Sequence, residues 1–440
     1  MITSLIGRIS GVHHNHKRIA TGAVLVGTLT LGAKLFVAAR EMAIAWRFGV
    51  SGTVDAYQLA MTITTWLPML INGVATVVLV PRLVSLGHDS PHRRQFIAEL
   101  NGTILAIGIG VSALIWLLAP AAAALLASGV NPYTLRTTAA IASKIAPVAF
   151  CIIVCGYLSA RLQARERFSY TASEAVPALA IAAMLVLPLK SPNVVPLIAG
   201  TLVGYILQVL VLGRLTQRGD PPIGTVKSRH TSPEWHSLYG AITLMALGQL
   251  LITMSAPIDQ AFAARLGAGA VATLGYATRI IGLMTGFGAV VVARALLPVL
   301  SNAAAEGDYT IGRRHTLQWA ALLGGVAAIG ACVLWWISPL IVRVLFQRGA
   351  FDASASAAVA HVLRFGLVQL PFYFTGIVFV QWYAATNRFR AILAVTACAL
   401  VLKVALNAVL APRLGVAGLA LGTAGMYFLT CSLLAAGMRR

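Results

Sequence analysis

The chain has 440 residues, of which 59% are hydrophobic and 10% charged, and its mean hydropathy is +0.85. This composition excludes a soluble globular protein, because no soluble core requires so many apolar residues. The formal net charge of +21 suggests nucleic acid only in a soluble protein. Here the basic residues lie mostly in short loops between apolar segments, which predicts topology signals and contact with anionic lipid headgroups instead of nucleic acid.

Apolar segments long enough to cross about 30 Å of hydrocarbon recur from one end of the chain to the other. We predict an all-α integral membrane protein with about twelve transmembrane helices in two six-helix bundles around a central cavity. The first bundle, residues 1–215, contains the predicted spans Gly22–Ala45, Asp55–Pro81, Gly102–Ala127, Thr138–Leu158, Thr171–Leu189 and Val194–Leu212.

A polar segment, TQRGDPPIGTVKSRHTSPEWH, separates the two halves and is rich in Pro, Gly and charge. These features are typical of a loop, and we predict a cytoplasmic linker over residues 216–236. The second bundle, residues 237–440, contains the predicted spans Leu238–Arg265, Gly269–Leu300, Leu317–Leu345, Ala358–Ala384, Ala391–Leu410 and Gly415–Ala436.

The distribution of basic residues predicts the orientation of the chain. With both termini in the cytoplasm of a bacterial inner-membrane protein, most loop Lys and Arg residues fall inside, as the positive-inside rule expects. The basic loop residues that fall outside are Arg47, Arg136, Lys190, Arg265, Arg343, Arg348 and Arg413.

An internal repeat relates the two halves. AWRFGVSGTVDAYQLA, near the start, is echoed by AARLGAGAVATLGYATR, so that Arg47 corresponds to Arg265. Six spans per half give the two repeats the same orientation, and transporters built in this way bind their substrate between the halves. The repeat therefore predicts an exporter that works by alternating access.

Charged residues inside the predicted spans indicate a polar cavity, because a Lys, Arg or Asp at the centre of a spanning helix costs roughly 2.5–3.5 kcal/mol. If every such carboxylate pairs with a cation, positive charge remains in surplus, which suits an anionic substrate and a phosphate in particular. Some cations instead hold helices together or reach the membrane interface along their apolar stems. The cations are Lys34, Arg40, Lys144, Arg279, Arg294, Arg364 and Lys403, and the carboxylates are Glu41, Asp55, Glu174 and Asp259.

A second polar group is predicted in the C-terminal half, where Asp259, Lys403, Asn407 and Thr423 lie on three spans. An Asp with Asn and Thr oxygens resembles a sodium or proton site. The Lys403 ammonium would mimic a bound cation, which favours a permanent salt bridge or a protonation switch over sodium binding. We therefore expect this group, if it couples transport to an ion, to use protons.

The sequence contains none of the motifs of nucleotide hydrolysis or zinc-dependent catalysis, such as GxxxxGK[ST] or HExxH. An intramembrane enzyme acting on a lipid carrier is the rival class, but the predicted outer loops are short and nearly free of Asp and Glu. The five cysteines lie in apolar runs without metal-ligand spacing. We therefore predict a transporter that has no catalytic residues, no cofactor and no metal site.

Several segments resemble the MviN/MurJ-like lipid II flippases of the multidrug/oligosaccharidyl-lipid/polysaccharide exporter superfamily. Arg40 and Glu41, followed by Phe48, Gly49 and the VDAY run from Val54, resemble the family's opening. Tyr276, Ala277 and Arg279, followed by the LLPVL run that ends at Leu300, are similar to its YAxR…LLPxL segment. LFQRGAF, residues 345–351, and GVAGLAL, residues 415–421, complete a resemblance that covers nearly the whole chain.

The resemblance implies a flippase of an undecaprenyl-diphosphate-linked saccharide, with membrane lipids as its other partners. It implies that Arg40 and Arg279 contact the lipid-linked diphosphate or assist the conformational cycle. Lys34 stands where relatives often place an arginine, and Asp55 matches an acidic residue of an outer gate. The expected substrate-binding residues are therefore Lys34, Arg40 and Arg279, with Asp55 as the gate.

Two differences from the family pattern bear on the substrate. A basic residue that relatives carry in the second span is replaced by the uncharged run Trp66, Leu67, Pro68, Met69, and twelve spans are predicted where typical members have fourteen. These differences are compatible with a specialised relative that exports units of a capsule or exopolysaccharide. Lipid II is the first expected substrate, the exopolysaccharide unit is the alternative, and a cation-coupled small-molecule antiporter is the third possibility.

Overall fold

The computed structural model describes residues 32–87, 90–127, 129–187, 194–227, 230–305 and 309–438. The first part of the first predicted span, Gly22–Leu31, and both chain termini lie outside the described residues. Within these ranges the chain forms sixteen helices and no strand. An all-helical membrane protein is thus confirmed.

The helices of the first half follow the predicted spans closely, with two spans divided into shorter helices. In chain order they are α1 (residues 32–48), α2 (Gly52–Ser85), α3 (Pro91–Leu126), α4 (Pro132–Ile145), α5 (Pro147–Gln163), α6 (Tyr170–Ser173), α7 (Ala175–Val186) and α8 (Val195–Thr216).

The second half repeats this plan, again with two spans divided. Its helices are α9 (Glu234–Thr253), α10 (Ser255–Ala264), α11 (Ala270–Ala305), α12 (Tyr309–Phe346), α13 (Ala353–Leu367), α14 (Gln369–Ala385), α15 (Phe389–Leu414) and α16 (Val416–Gly437).

Seven helical stretches of the described residues are long and apolar enough to cross a membrane, or eight if the bent pair α4–α5 forms one span. The bend of 50° between α4 and α5 follows from Pro147, because proline lacks the amide hydrogen that the helix ladder needs and clashes with the preceding turn. The expected count of twelve spans remains a prediction.

Helix α2 lies at the centre of the molecule. It packs against α4 and α5 of the first half and against α9 and α11 of the second half. The main buried cluster extends from Leu59 of α2 to Tyr276 of α11 and Leu363 of α13. The principal cavities therefore lie beside α2.

The linker is fastened to the first half by a buried carboxylate. Asp220 accepts hydrogen bonds from Arg93 Nε (3.1 Å) and Arg165 Nη2 (2.8 Å), and Arg161 Nε lies 3.5 Å away. The basic residues are expected mostly in loops at lipid headgroups, but Arg93 and Arg161 lie in α3 and α5, are buried and face the linker. The general expectation is wrong for these two residues, and the three guanidinium groups around Asp220 offset the cost of burying its carboxylate.

A second carboxylate holds the other end of the linker. Glu99 of α3 accepts hydrogen bonds from the Trp235 indole (2.8 Å), the Thr231 hydroxyl (2.8 Å) and the Ser232 amide (3.2 Å). Between the two carboxylates, the Lys227 amide donates to the Ala98 carbonyl. The linker is therefore a bound part of the first half, from Asp220 to the start of α9.

Candidate functional site

A cavity of about 640 Å³ lies beside α2, within the range of roughly 300–1,000 Å³ that is typical of small-molecule sites. Helices α1, α2, α5, α7 and α8 of the first half supply most of its wall, and the second half adds Gln260 and Arg279. On α1, the residues that face the cavity recur every three or four positions, so they share one helical face. Lys34, Arg40 and Arg279, the three predicted substrate-binding residues, all line this cavity.

Glu41 joins the two arginines. Arg40 donates to Glu41 Oε1 through Nε (3.1 Å) and Nη2, and Arg279 Nε lies 3.6 Å from the same oxygen. The Arg40 side chain is 13% exposed, whereas that of Arg279 is 49% exposed. The guanidinium of Arg40 is therefore fixed by Glu41, whereas that of Arg279 is presented to the cavity.

The charge on the cavity wall is positive. Lys34, Arg40 and Arg279 face Glu41 and Glu174, which leaves one surplus positive charge among the described lining residues. A cluster of guanidinium groups offers planar, forked donors that match the oxygens of a phosphate. The cavity can therefore attract an anion and bind it by charge-assisted hydrogen bonds.

Asp55, the predicted gate residue, joins the two halves near the predicted outer end. Its carboxylate is fully buried and accepts hydrogen bonds from the amides of Gly269 and of Ala272 (2.7 Å), at the first turn of α11. Among the described residues, no cation lies within salt-bridge distance of Asp55. The helix N-terminus takes the place of the cation, because its unpaired amides carry partial positive charge.

The LFQRGAF motif seals the same end of the molecule. Phe346 and Phe351 are buried and contact Tyr276, with ring centroids 5.1 and 5.4 Å from that of the tyrosine. Gly349 has a φ of +59° and lies against the Trp46 carbonyl, where a side chain would clash. The motif therefore places the α12–α13 loop directly on the end of α1.

Two main-chain contacts complete this outer seal. The Tyr276 hydroxyl donates to the Gly49 carbonyl (3.1 Å), and the Ala350 amide donates to the Trp46 carbonyl (2.8 Å). Together with Asp55, these contacts connect the α1–α2 turn of the first half to α11 and the α12–α13 loop of the second. In this conformation the halves are held together at the end that we predict to face outward.

The predicted second group also assembles. Lys403 Nζ donates to Asp259 Oδ2 (2.7 Å) and to the Ser255 hydroxyl, and Asn407 Nδ2 donates to Asp259 Oδ1 (2.8 Å). The Thr423 hydroxyl lies 3.3 Å from Asp259 Oδ2. The group borders a second cavity, of about 420 Å³, which shares Thr62, Thr65 and Met69 of α2 with the first cavity. Its ammonium already occupies the position at which a free cation would meet the carboxylate.

Among the described span cations, Arg364 and Lys144 do not line the first cavity. Arg364 donates through Nε to the Trp335 carbonyl (3.3 Å) and the Ser338 hydroxyl (3.1 Å), which fits the alternative of a structural role. Lys144 is exposed near the end of α4. The Arg294 side chain lies outside the described part of the structure.

Sequence reasoning from charge alone missed the polar neutral wall of the cavity. Along α2, residues at alternating intervals of four and three face the cavity, which is the spacing of one helical face and the signal from which they are predictable. This face consists of Gln58, Thr62, Thr65, Met69, Asn72 and Thr76. Gln208 of α8 also lines the cavity.

A family model described as lipid II flippase MurJ matches residues 44–440. The chain belongs to the MurJ lipid II flippase family. This membership confirms the resemblance drawn from the sequence motifs. It also identifies a transporter rather than an enzyme, and a multi-pass protein of the bacterial inner membrane.

Relatives in this family cover most of the chain. The probable lipid II flippase MurJ of Rhizobium meliloti (strain 1021) is 25% identical over 421 residues, which are 92% of this chain and 77% of the relative. Lipid II flippase MurJ of Burkholderia cenocepacia is 25% identical over 445 residues, with shares of 94% and 83%.

Solved structures share the fold. A structure of lipid II flippase MurJ in an inward closed conformation has a TM-score of 0.79 at 17% identity, covering 95% of this chain and 88% of the other. An inward-facing MATE-family multidrug resistance transporter of the MOP superfamily has a TM-score of 0.75 at 12% identity, covering 94% and 97%. The chain therefore shares its fold with both of these transporters.

Proposed function

We propose that this chain is a flippase that moves an undecaprenyl-diphosphate-linked saccharide, with lipid II as the first candidate, from the inner to the outer leaflet of the bacterial cytoplasmic membrane. The observation that carries the proposal is the positively charged cavity with Arg40 and Arg279, inside a chain whose family and relatives are named lipid II flippases. Such a lipid has a dianionic or more highly charged linkage that an arginine pair can bind.

The two arginines take different parts in this proposal. Glu41 holds Arg40 in one orientation, so Arg40 is a preformed contact for one phosphate group. Arg279 lies 3.6 Å from Glu41, which is beyond a good hydrogen bond, and its side chain is half exposed. It is therefore free to exchange this weak ion pair for a bidentate contact with the substrate, and Lys34 adds a third positive charge to the same wall.

Transport would proceed by alternating access between the two halves. The moving units are the N-terminal bundle, residues 1–215, with the linker loop 216–236 bound to it, and the C-terminal bundle, residues 237–440. Asp55 acts as a gate because its hydrogen bonds to α11 must break when the halves separate at the outer end. With the Asp55 end of the molecule facing outward, both termini are cytoplasmic.

We propose that the Asp259 group contributes to energy coupling through protons and not through sodium. Lys403 supplies a tethered ammonium at 2.7 Å from the carboxylate, so a sodium ion would have to displace a covalently attached cation. Loss of a proton from this buried pair would leave a net negative charge and change the packing between α10 and α15. A permanent salt bridge without coupling is the alternative, and transport that follows a sodium gradient in liposomes without a pH gradient would contradict the proton coupling.

Two other functions are not favoured. A flippase for capsule or exopolysaccharide units has no support from the family model or from the relatives above, which are named lipid II flippases. A cation-coupled antiporter of small molecules fits poorly, because surplus positive charge in the cavity repels the cationic compounds that such transporters export.

The proposal is tested with the purified chain in liposomes that contain lipid II. Arg40→Ala and Arg279→Ala are expected to reduce flipping at least about tenfold, since each removes a charge-assisted bond. Arg390→Ala, at an exposed arginine outside the cavity, is the matched control and should flip at the wild-type rate.

Complementation provides the second test. A cell depleted of its essential lipid II flippase should grow when it expresses this chain and fail to grow with either cavity variant at equal protein level. Growth failure with the wild-type chain, together with loss of a polysaccharide in a deletion strain, would favour the exopolysaccharide substrate. Wild-type flipping by both arginine variants would refute the role of the cavity.

A further inference from the structure

Five Asn and Gln side chains are buried in the described residues, and they divide into two classes. Asn101, Gln369 and Asn407 donate hydrogen bonds to protein groups, at 2.9, 2.7 and 2.8 Å. Gln58 and Gln208 make no side-chain hydrogen bond with any described residue, although each is only 8% exposed. Both line the arginine-containing cavity.

An amide that serves only the fold has a protein partner, because an unpaired buried amide is costly. Two partly buried amides on the same wall also have protein partners: Gln260 accepts from Thr62 (2.6 Å) and Asn72 donates to the Ile152 carbonyl (2.9 Å). Gln58 and Gln208 do not. Their donors and acceptors are therefore available to a molecule in the cavity.

The two amides lie beside the arginine region. Gln58 follows Tyr57, which, like Tyr205, is a close electrostatic neighbour of Arg40. Gln208 lies three residues after Tyr205 on α8, about 4.5 Å further along the helix axis. Gln58 also packs on Gly275 of the second half, where any larger residue would displace it. The cavity thus places neutral amides next to a cluster of cations.

These two kinds of group recognise different parts of one ligand. Guanidinium groups bind phosphate oxygens, whereas an amide carries two donors and an acceptor without charge, which suits hydroxyl and acetamido groups. In a diphosphate-linked saccharide, the first sugar is bonded directly to a phosphate. A sugar-binding subsite must therefore adjoin the arginines.

We propose that Gln58 and Gln208 form a saccharide subsite that binds the first sugar of the lipid-linked substrate, while Arg40 and Arg279 bind its diphosphate. This inference rests on the proposed function and goes beyond it, because it assigns the selection of a glycosylated lipid over the bare lipid diphosphate to two named amides. The cavity then discriminates its cargo by sugar as well as by charge.

The test measures the affinity of the purified full chain in nanodiscs for two probes: lipid II, and undecaprenyl diphosphate without sugar. Gln58→Met and Gln208→Met keep the size of the side chain and remove its hydrogen bonds. Each is expected to lower the affinity for lipid II about tenfold, and to leave the affinity for undecaprenyl diphosphate within about twofold of wild type. Gln217→Met, at an exposed glutamine outside the cavity, is the matched control.

Arg40→Ala distinguishes the two subsites, since it should lower the affinity for both probes by a similar factor. If either glutamine variant unfolds at a lower temperature than wild type, the other variant reports the result. Equal loss of affinity for both probes, or no loss for either, would overturn the saccharide subsite while the proposed function stands. If the wild-type chain binds neither lipid, the proposed function fails and the subsite fails with it.

Discussion

Replacing Asp55 by Asn tests whether the outer seal is a gate. The substitution keeps the size of the side chain and removes its charge. In the structure the buried carboxylate accepts two backbone hydrogen bonds from the start of α11, whereas Asn has one acceptor oxygen and adds donors that face other amides. The change therefore acts on a contact that exists only while the halves are joined at this end.

The size of the effect follows from these contacts. A hydrogen bond to a charged group contributes about 1.5–3 kcal/mol, and a charge at a helix N-terminus adds about 0.3–2 kcal/mol. Burying a neutral amide costs less free energy than burying a carboxylate, and this difference offsets part of the lost stabilisation. We expect the sealed conformation to lose about 2 kcal/mol, or roughly 30-fold in its equilibrium with a conformation open at the outer end.

Electron paramagnetic resonance distances can measure this shift. Spin labels on Tyr133→Cys and Leu414→Cys, in a background without the native cysteines, report the separation of the two halves, because both side chains are exposed near the ends of α4 and α15 that we predict to face outward. The wild-type chain should give one short distance, and Asp55→Asn should add a longer population.

Asp352→Asn is the matched control for the gate. Asp352 also caps a helix, since it accepts from the Ala355 amide at 2.7 Å, but both residues belong to the second half. This variant should leave the distance distribution unchanged. A distribution for Asp55→Asn identical to that of wild type, or a shift of equal size with Asp352→Asn, would refute the gate.

Two further predictions concern the linker and the Asp259 group. Burial opposes ionisation of Asp220, but hydrogen bonds from Arg93 and Arg165 and the charge of Arg161 outweigh it and hold the pKa of Asp220 below its usual range. The stabilisation of the folded state by ionised Asp220 is therefore complete above about pH 3.9 and is lost as the pH falls through the lowered pKa. We expect the unfolding temperature in detergent to fall less between pH 5 and 3 for Asp220→Asn than for wild type. Equal pH profiles of the two proteins would contradict this. Lys403→Gln removes the tethered cation from Asp259, and sodium should raise the unfolding temperature of this variant but not of wild type. No sodium effect on either protein, relative to choline at equal ionic strength, would argue against an ammonium that stands in for a bound cation.

The sequence predicted the residues of the cavity better than it predicted their partners. Lys34, Arg40 and Arg279 were found because a charge in a spanning segment is rare and costly, and its position is visible in the sequence. The partner of Asp55 was not visible, because it is a backbone amide 214 residues away and carries no side-chain signature. The Asp259 group was predictable from the sequence because each of its members is a polar residue within an apolar run.

The linker illustrates the opposite case. Its composition predicted a loop between two halves, and the positive-inside rule predicts that this loop is cytoplasmic. The rule treats Arg93 and Arg161 as equivalent to any other loop cation, so it did not reveal that both are buried around Asp220. Burial of a charged residue depends on which groups converge on it, and that is decided by packing.

The sequence by itself determined the class of the protein, the positions of most spans and the positive character of the cavity, because a bilayer imposes its length and polarity on every segment separately. Only the tertiary structure decided which polar residues share a site and which of them remain unpaired. Glu41 is satisfied by two arginines, whereas Gln58 and Gln208 have no partner among the described residues. Such differences arise from contacts between distant helices, and no local pattern encodes them.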